Sequence, residues 1–470
     1  MTDKIELVMF PSVGLSHIIP TVEFAKRLIE RDDRFSVTVL VITFGRRTPY
    51  AYIESVTNSV AHIRFIILPP ADLPPPGTQY GIGYLSIYIQ NHQPHVKKAL
   101  SQLMSESSNS FRLVLDMFNT TMIGVAKELN VPSYVYITSG AGFLCHMLHL
   151  PTLDTDITTE FKDYAGDLTL PGYVNPVPVS ALPEMLENRK SISYSWFLLH
   201  ARMLRECKGI IVNSVAELEL QAVDVFNQMV HDIPRVYLVG PIMNLEGNAH
   251  SGSNQAQHDR IMTWLDDQPE SSVIFLCFGS RGTLDVPQVK ELAKGLEQSG
   301  HRFLWSLRHP ATDRSEPPSE YTNPEEVLPD GFLERVGGRG LICGWAPQVE
   351  ILAHRASGAF ASHCGWNSIL ESLWFGVPLL TWPLDAEQKL NAFQLVKDLG
   401  LAVEMKGEGK NLVVAEEVEK SVRCVMECES EVRRKVKEMS EKCTRALLEG
   451  GSSWSSLGSL VENLTTESVT

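Results

Sequence analysis

An α/β architecture of two doubly wound halves is predicted by three features of the chain. Apolar, β-rich runs alternate with helical stretches at intervals that leave room for crossover helices, as parallel sheets demand. The alternation breaks once, at Gly240-Pro241 and the polar run GNAHSGSNQAQHD, and then resumes. A length of 470 residues exceeds one ordinary core and suits two or three domains. The expected division is a first domain over 1–243, a linker over 244–258, a second domain over 259–454 and a terminal segment over 455–470. The halves are expected to face each other across a cleft, with ligands at the carboxyl ends of the strands.

In chain order, residues 6–10 form the first expected strand, followed by a helix over 21–30. Strands at 36–42, 63–68, 112–115 and 133–137 continue the series, and 209–213 and 236–239 close it. Proline-rich residues 69–76 and 310–324 read as surface loops. The second series has strands at 273–278, 303–306, 341–343, 358–362 and 379–382. A helix over 367–375 is closed by Gly376 and Pro378, and residues 415–448 form a charged, amphipathic helical tail. No internal repeat is visible, and no G-x-G-x-x-G follows the first strand, which disfavours a dinucleotide-dependent dehydrogenase.

Hydrophobic residues at 44% and charged residues at 21% fit a soluble globular protein. The net charge of −15 disfavours nucleic acid and anionic membranes as partners. The N-terminal MTDKIELVMF runs straight into a strand without the basic and long apolar regions of a signal peptide, and no apolar stretch suits a membrane helix. A cytoplasmic location is therefore expected. The cysteines at 145, 207, 277, 343, 364, 424, 428 and 443 are scattered singly, as reduced thiols are. On that reading the sequons at Asn119 and Asn463 stay unmodified.

Residues 345–388, WAPQVEILAHRASGAFASHCGWNSILESLWFGVPLLTWPLDAEQ, concentrate the chemistry. His363, Cys364 and Gly365 form the turn from a buried strand into a helix N-terminus, where backbone N–H groups and the helix dipole favour phosphate. His363, Asn367 and Ser368 add side-chain donors. A plainer reading also fits: Ser368 and Glu371 have the spacing of a capping box, and Trp345, Trp366 and Trp382 suit a core. His354, His363 and Cys364 match no zinc-ligand spacing, so no metal is expected.

The same residues resemble, almost position for position, the donor box of plant family-1 UDP-glycosyltransferases, and the resemblance spans nearly the whole chain. It implies a GT-B fold and a last helix, around 455–464, that crosses back to the N-terminal half. It also implies roles. Trp345, with Ala346 beside it, matches the residue that stacks on uracil; Gln348 and Glu371 match ribose contacts; His363, Asn367 and Ser368 match diphosphate contacts; Trp366, Glu387 and Gln388 match residues that hold the sugar. Gln388 is the position associated with glucose. Ser280, in LCFGSRG, matches a phosphate contact, and Thr138, in YITSG, a sugar contact. No cofactor beyond the UDP-sugar donor is implied.

His17 lies past the first strand and Asp116 ends the fourth, both on the carboxyl-end rim. A lone histidine there is often structural, and an aspartate at a strand end is often a turn former, a job for which Asn119 and Thr120 compete. In the resembling enzymes the matching pair is the general base and the carboxylate that holds its other ring nitrogen. Ser16 stands where that family commonly carries glycine; a positive φ at this position would strain the loop. The resemblance implies a monomeric, inverting O-glucosyltransferase using UDP-glucose, with flavonoids or other phenolics of secondary metabolism as acceptors. Phe118, Phe143, Met147 and Trp196 are candidate acceptor-pocket residues, and residues 71–84 and 151–189 the loops that shape the pocket. The competing readings are a sugar-nucleotide epimerase or hydrolase, and a binding protein without catalysis.

Overall fold

The structure is a computed structural model that describes residues 4–44, 50–246, 255–311, 316, 318–405 and 412–466. The expected linker falls largely on 247–254, outside the described residues, as do parts of the proline-rich segment 310–324. Two compact units emerge, one of residues 1–244 with 445–470, the other of residues 245–444.

The first unit is built on a parallel sheet of seven strands, in the order β3-β2-β1-β4-β5-β6-β7. These strands are β1 (Ile5–Phe10), β2 (Phe35–Val41), β3 (Ile63–Ile67), β4 (Ser110–Asp116), β5 (Ser133–Ile137), β6 (Gly209–Val212) and β7 (Arg235–Leu238). β1, β5 and β6 are buried along their whole length, as a sheet covered by helices on both faces requires, and are largely apolar. The buried Glu6 of β1 is the exception, accepting from the Ser36 and Thr38 hydroxyls. The direction of winding reverses between β1 and β4, which pair with Phe10 beside Leu115. That reversal opens a crevice at their carboxyl ends.

The second unit carries a six-stranded sheet in the order β12-β9-β8-β13-β14-β15. Its strands are β8 (Val273–Cys277), β9 (Arg302–Ser306), β12 (Gly340–Cys343), β13 (Ser357–Ser362), β14 (Leu379–Thr381) and β15 (Ala402–Glu404). Winding reverses here between β8 and β13, paired so that Cys277 lies beside Ser362. A short antiparallel ladder, β10 (Arg308–His309) with β11 (Ser319–Glu320), stands apart from the sheet. Neither this ladder nor β15 was visible as a strand pattern, because runs of two or three residues carry no periodicity. The core of this unit packs Phe303, Trp305, Phe332 and Trp382 with Val418 and Val422 of the tail.

Strand ends shift by a residue or two from the sequence reading, and three other boundary differences bear on the architecture. The first helix spans Leu15–Arg31 and contains Pro20, whose missing N–H removes one internal bond without ending the helix. The helix after β13 begins at Trp366. The chain rejoins the first unit from 445, ahead of the expected 455. The handover is a sharp turn, where the Gly451 N–H bonds the Leu448 carbonyl and a Cβ on Gly451 would collide with the Arg445 and Ala446 carbonyls. The last helix, Ser452–Thr466, then docks on the first unit. Asn463 accepts from the Tyr134 hydroxyl at 2.7 Å, and the Arg31 guanidinium lies 3.8 Å over the Trp454 ring.

Candidate functional site

Each unit places its chemistry at its own winding reversal. In the first, His17 follows β1 and Asp116 ends β4. His17 sits in the first turn of its helix, so Ser16 is helical and the left-handed backbone falls on Gly14, with φ 107°. The presence of serine where the family commonly carries glycine therefore carries no strain. His17 Nδ1 lies 2.8 Å from Asp116 Oδ2; the aspartate is 1% exposed and the histidine 20%. Asp116 also serves as a turn former, its Oδ1 accepting from the Phe118 N–H at 3.0 Å. One of its oxygens thus holds the imidazole and the other the turn. Asn119 and Thr120 do not compete for it: Asn119 bonds the Phe10 carbonyl, and Thr120 bonds His200 Nδ1 at 2.7 Å.

A carboxylate on Nδ1 fixes the proton there and leaves Nε2 as the basic nitrogen of the ring. Thr138, after β5, puts its hydroxyl 3.4 Å from the same Nδ1. Phe118 meets His17 edge-on at 6.0 Å and His200 at the same distance. Trp196 lies 5.8 Å from His200, whereas Phe143 and Met147 are buried, Phe143 against Phe197 at 6.0 Å. The helix after β5, Ala141–Asp156, offers no anion site at its start, because the buried Glu219 carboxylate already accepts from the Ala141 and Gly142 N–H groups at 2.6 and 2.7 Å.

In the second unit, Ser280 follows β8 and His363 follows β13. The helix Trp366–Trp374 has Gly365 at its N-cap, so an anion reaches the first-turn N–H groups without displacing a capping side chain. The capping-box reading of Ser368 and Glu371 does not hold. Ser368 lies inside the helix, and both side chains instead accept from Gln348 Nε2, at 2.9 and 2.6 Å. Desolvation pushes Glu371 up to about 7 against the lowering effect of that amide. Burial pushes His363 down to about 4, helped by the nearby Arg308 charge, so its ring is neutral near pH 7. The ring fills a slot that only glycines allow, since a Cβ on Gly279 or Gly365 would collide with it. Its Nδ1 is enclosed without a hydrogen-bond partner among the described residues.

Trp345 is half-buried after β12, with Ala346 buried beside it. Trp366 is 3% exposed, and Trp382 packs edge-on against Phe278 at 5.7 Å as core. Gln388 turns its oxygen onto the Leu384 and Asp385 N–H groups, both at 2.9 Å. Glu387 precedes it as the N-cap of the helix Gln388–Phe393. Asn367 lies in the first turn beside Ser368. His354 faces Asp266 at 3.2 Å and accepts from the Ala356 N–H, an ordinary structural role. Sequence reasoning missed Arg308, Glu320 and Gln257, which contact the Ser280 and Trp345 segments. The one signal was an arginine closing the strand-like run FLWSLR.

Among the described residues no helix is long and apolar enough to cross a membrane. A family model described as UDP-glucoronosyl and UDP-glucosyl transferase matches residues 96–441. UDP-glycosyltransferase 71K1 of Malus domestica is 50% identical, over 98% of this chain and 99% of the relative. Flavonol 3-O-glucosyltransferase UGT71C4 of Arabidopsis thaliana is 44% identical over 96% of each. The crystal structure of Medicago truncatula UGT71G1 complexed with UDP-glucose superposes with a TM-score of 0.90, at 40% identity and 98% coverage of both chains. The chain belongs to the UDP-glucuronosyl and UDP-glucosyl transferases, enzymes of the GT-B class that transfer a sugar from a uridine diphosphate donor.

Proposed function

We propose that this enzyme moves glucose from UDP-glucose to a hydroxyl of a small lipophilic acceptor, such as a flavonoid or another phenolic, with inversion at the anomeric carbon. The relative named as a flavonol 3-O-glucosyltransferase and the Medicago complex with UDP-glucose support the sugar and the acceptor class. The single observation that carries the mechanism is the 2.8 Å contact between His17 Nδ1 and Asp116 at the β1/β4 reversal. On this reading the first unit takes the acceptor, with Phe118, Phe143, Met147 and Trp196 at its pocket. The second takes the donor through Ser280, Trp345, Ala346, Gln348, His363, Trp366, Asn367, Ser368, Glu371, Glu387 and Gln388. Thr138 reaches the sugar from beside the base. The enzyme works as a cytoplasmic monomer in plant secondary metabolism.

His17 Nε2 accepts the acceptor proton as the hydroxyl oxygen attacks the anomeric carbon and UDP departs. A phenol near pKa 10 and an imidazole near 6.5 differ by about 3.5 units, so full proton transfer before attack is uphill by about 5 kcal/mol. Transfer must accompany attack, with Asp116 stabilising the imidazolium. Charge growing on the diphosphate meets the N-terminus of the helix Trp366–Trp374, the neutral His363 and the Ser280 hydroxyl. These donors take the place of a metal ion in the scheme, so a chelator should leave the rate unchanged.

Incubation with UDP-glucose and a panel of phenols, terpenoids and acids should give hexose-sized mass gains on phenolic hydroxyls, with β-linked products by NMR. An α-linked product, or UDP release without a glucoside, would overturn the proposal.

A further inference from the structure

Trp345 is gripped from outside the donor box. Its N–H donates to Glu320 Oε1 at 2.7 Å, and its carbonyl accepts from Gln257 Nε2 at 2.6 Å. The two gripping side chains are in turn 3.5 Å apart. Both peptide groups that set the backbone direction at Trp345 are therefore tied to side chains distant in sequence.

Glu320 pairs in register with Arg308 across the β10/β11 ladder. Arg308 is 4% exposed and has no carboxylate partner among the ion pairs of the described residues. Its guanidinium is held by main-chain carbonyls, reaching Ser280 at 3.2 Å, Gly282 at 3.0 Å and Gly279. The same group lies 5.3 Å from the centroid of the Trp345 ring. A buried cation costs several kcal/mol of desolvation, which makes an arginine an uneconomical way to hold a loop unless its charge or its fork geometry is used. Here it links the loop after β8 to the indole, while Glu320, directly across the ladder, holds the backbone of Trp345.

We propose that Arg308, Glu320 and Gln257 are positioning residues that fix the Trp345 indole as a platform for the uracil base and lock it in register with the Ser280 loop. The inference rests on the donor-site reading above and deepens it. It assigns base selectivity to side chains that do not themselves touch the base. An indole free to swing stacks on any base. An indole clamped at both peptide groups fits only a base of the right size at the right distance from the diphosphate, and so favours a single-ring pyrimidine over a purine.

The test uses the full-length enzyme with Glu320→Ala, Gln257→Ala and their combination, and Glu320→Gln as the conservative variant. Glu320 is exposed, so its removal leaves the core intact, and melting temperatures check this. Gly344→Ala offers a second route, because a Cβ there would push into the Glu320 carboxylate. The double variant should raise the UDP-glucose KM roughly tenfold, as expected for two lost hydrogen bonds, with kcat at saturating donor retained. Inhibition by UDP relative to ADP should lose selectivity by a similar factor. Glu320→Gln, which keeps an oxygen acceptor, should restore most of both. Unchanged KM and unchanged UDP/ADP selectivity in the double variant, with Trp345→Ala raising KM, would overturn the clamp alone. An unchanged KM in Trp345→Ala would overturn the donor-site reading and the clamp together.

Discussion

At the scale of single residues, the proposed mechanism depends on how one carboxylate divides its two oxygens. Asp116 gives one to the Phe118 N–H and one to His17 Nδ1. Asp116→Asn keeps an oxygen for one of these contacts but offers an N–H₂ to the other, so the proton moves off Nδ1 and Nε2 loses its basicity. Transfer should fall roughly 10²- to 10⁴-fold while UDP affinity stays within twofold, as for loss of a general base held in the wrong tautomer. Glu371 gives a second prediction. Its carboxyl is pushed up to about 7 by desolvation, and on the proposed donor site a ribose diol binds best to the ionised form. Binding must then release a proton, and the UDP-glucose Kd should rise about tenfold from pH 8 to pH 6. Calorimetry should show that slope in the parent protein and a flat, weaker profile in Glu371→Gln; the same slope in both would remove Glu371 as its source. These two residues show different limits of reading a sequence. His17 and Asp116 lie 99 positions apart, and no spacing rule joins them; the resemblance to known transferases brought them together. Ser368 and Glu371 had a local pattern that pointed to a helix cap, and the side chain that overrode it, Gln348, stands on the short helix before β13, beyond the reach of a capping rule.

At the scale of elements, both sheets place their functional loops at the strands between which winding reverses, β1 with β4 and β8 with β13. The carboxyl-end rim was legible in advance, because buried strands alternating with helices predict doubly wound sheets. The strand order, and with it each point of reversal, was not, because sequence order does not say which strands pair. The local geometry of the turn after β13 was less legible. His363 sits between two glycines, Gly279 from the neighbouring strand end and Gly365 from the helix N-cap. Nothing in the sequence says which ring those glycines make room for. Gly279 has φ 73°, so any side chain there adds backbone strain to the collision, whereas Gly365 has φ −65° and isolates the steric effect. Gly365→Ala should therefore displace the imidazole and raise the donor KM by about tenfold, with an overpacking cost of about 1–3 kcal/mol. In a His363→Ala background the new methyl has space, so the two changes should be less than additive. Full additivity in KM and in stability would place the collision elsewhere.

For the whole molecule, acid stability follows from imidazoles that the fold keeps neutral. Burial pushes His146 and His200 in the first unit and His363 in the second down to about 4. His200 is satisfied by the Ser86 and Thr120 hydroxyls, whereas neither ring nitrogen of His146 has a partner among the described residues. In the unfolded chain each titrates near 6.5, so between that value and about 4 the unfolded state binds more protons and stability falls with pH. The loss per fully buried histidine is about 2 kcal/mol by pH 5. Glu371 works the other way, since an acid raised to about 7 gains protons in the folded state first and recovers at most about 2 kcal/mol over the same range. Three depressed imidazoles outweigh one raised carboxyl, leaving a net loss that is a large share of an ordinary folding free energy. Urea midpoints measured from pH 7.5 to pH 5 should decline steadily. His146→Leu, which replaces an unpartnered buried imidazole with an apolar side chain of similar volume, should flatten part of that decline and stabilise the protein most at the acid end. A variant that follows the parent curve at every pH would show that His146 is already charged or hydrated in the folded state, and the acid lability would then have to come from the other imidazoles that burial lowers, His200 and His363 with His92, His149 and His301.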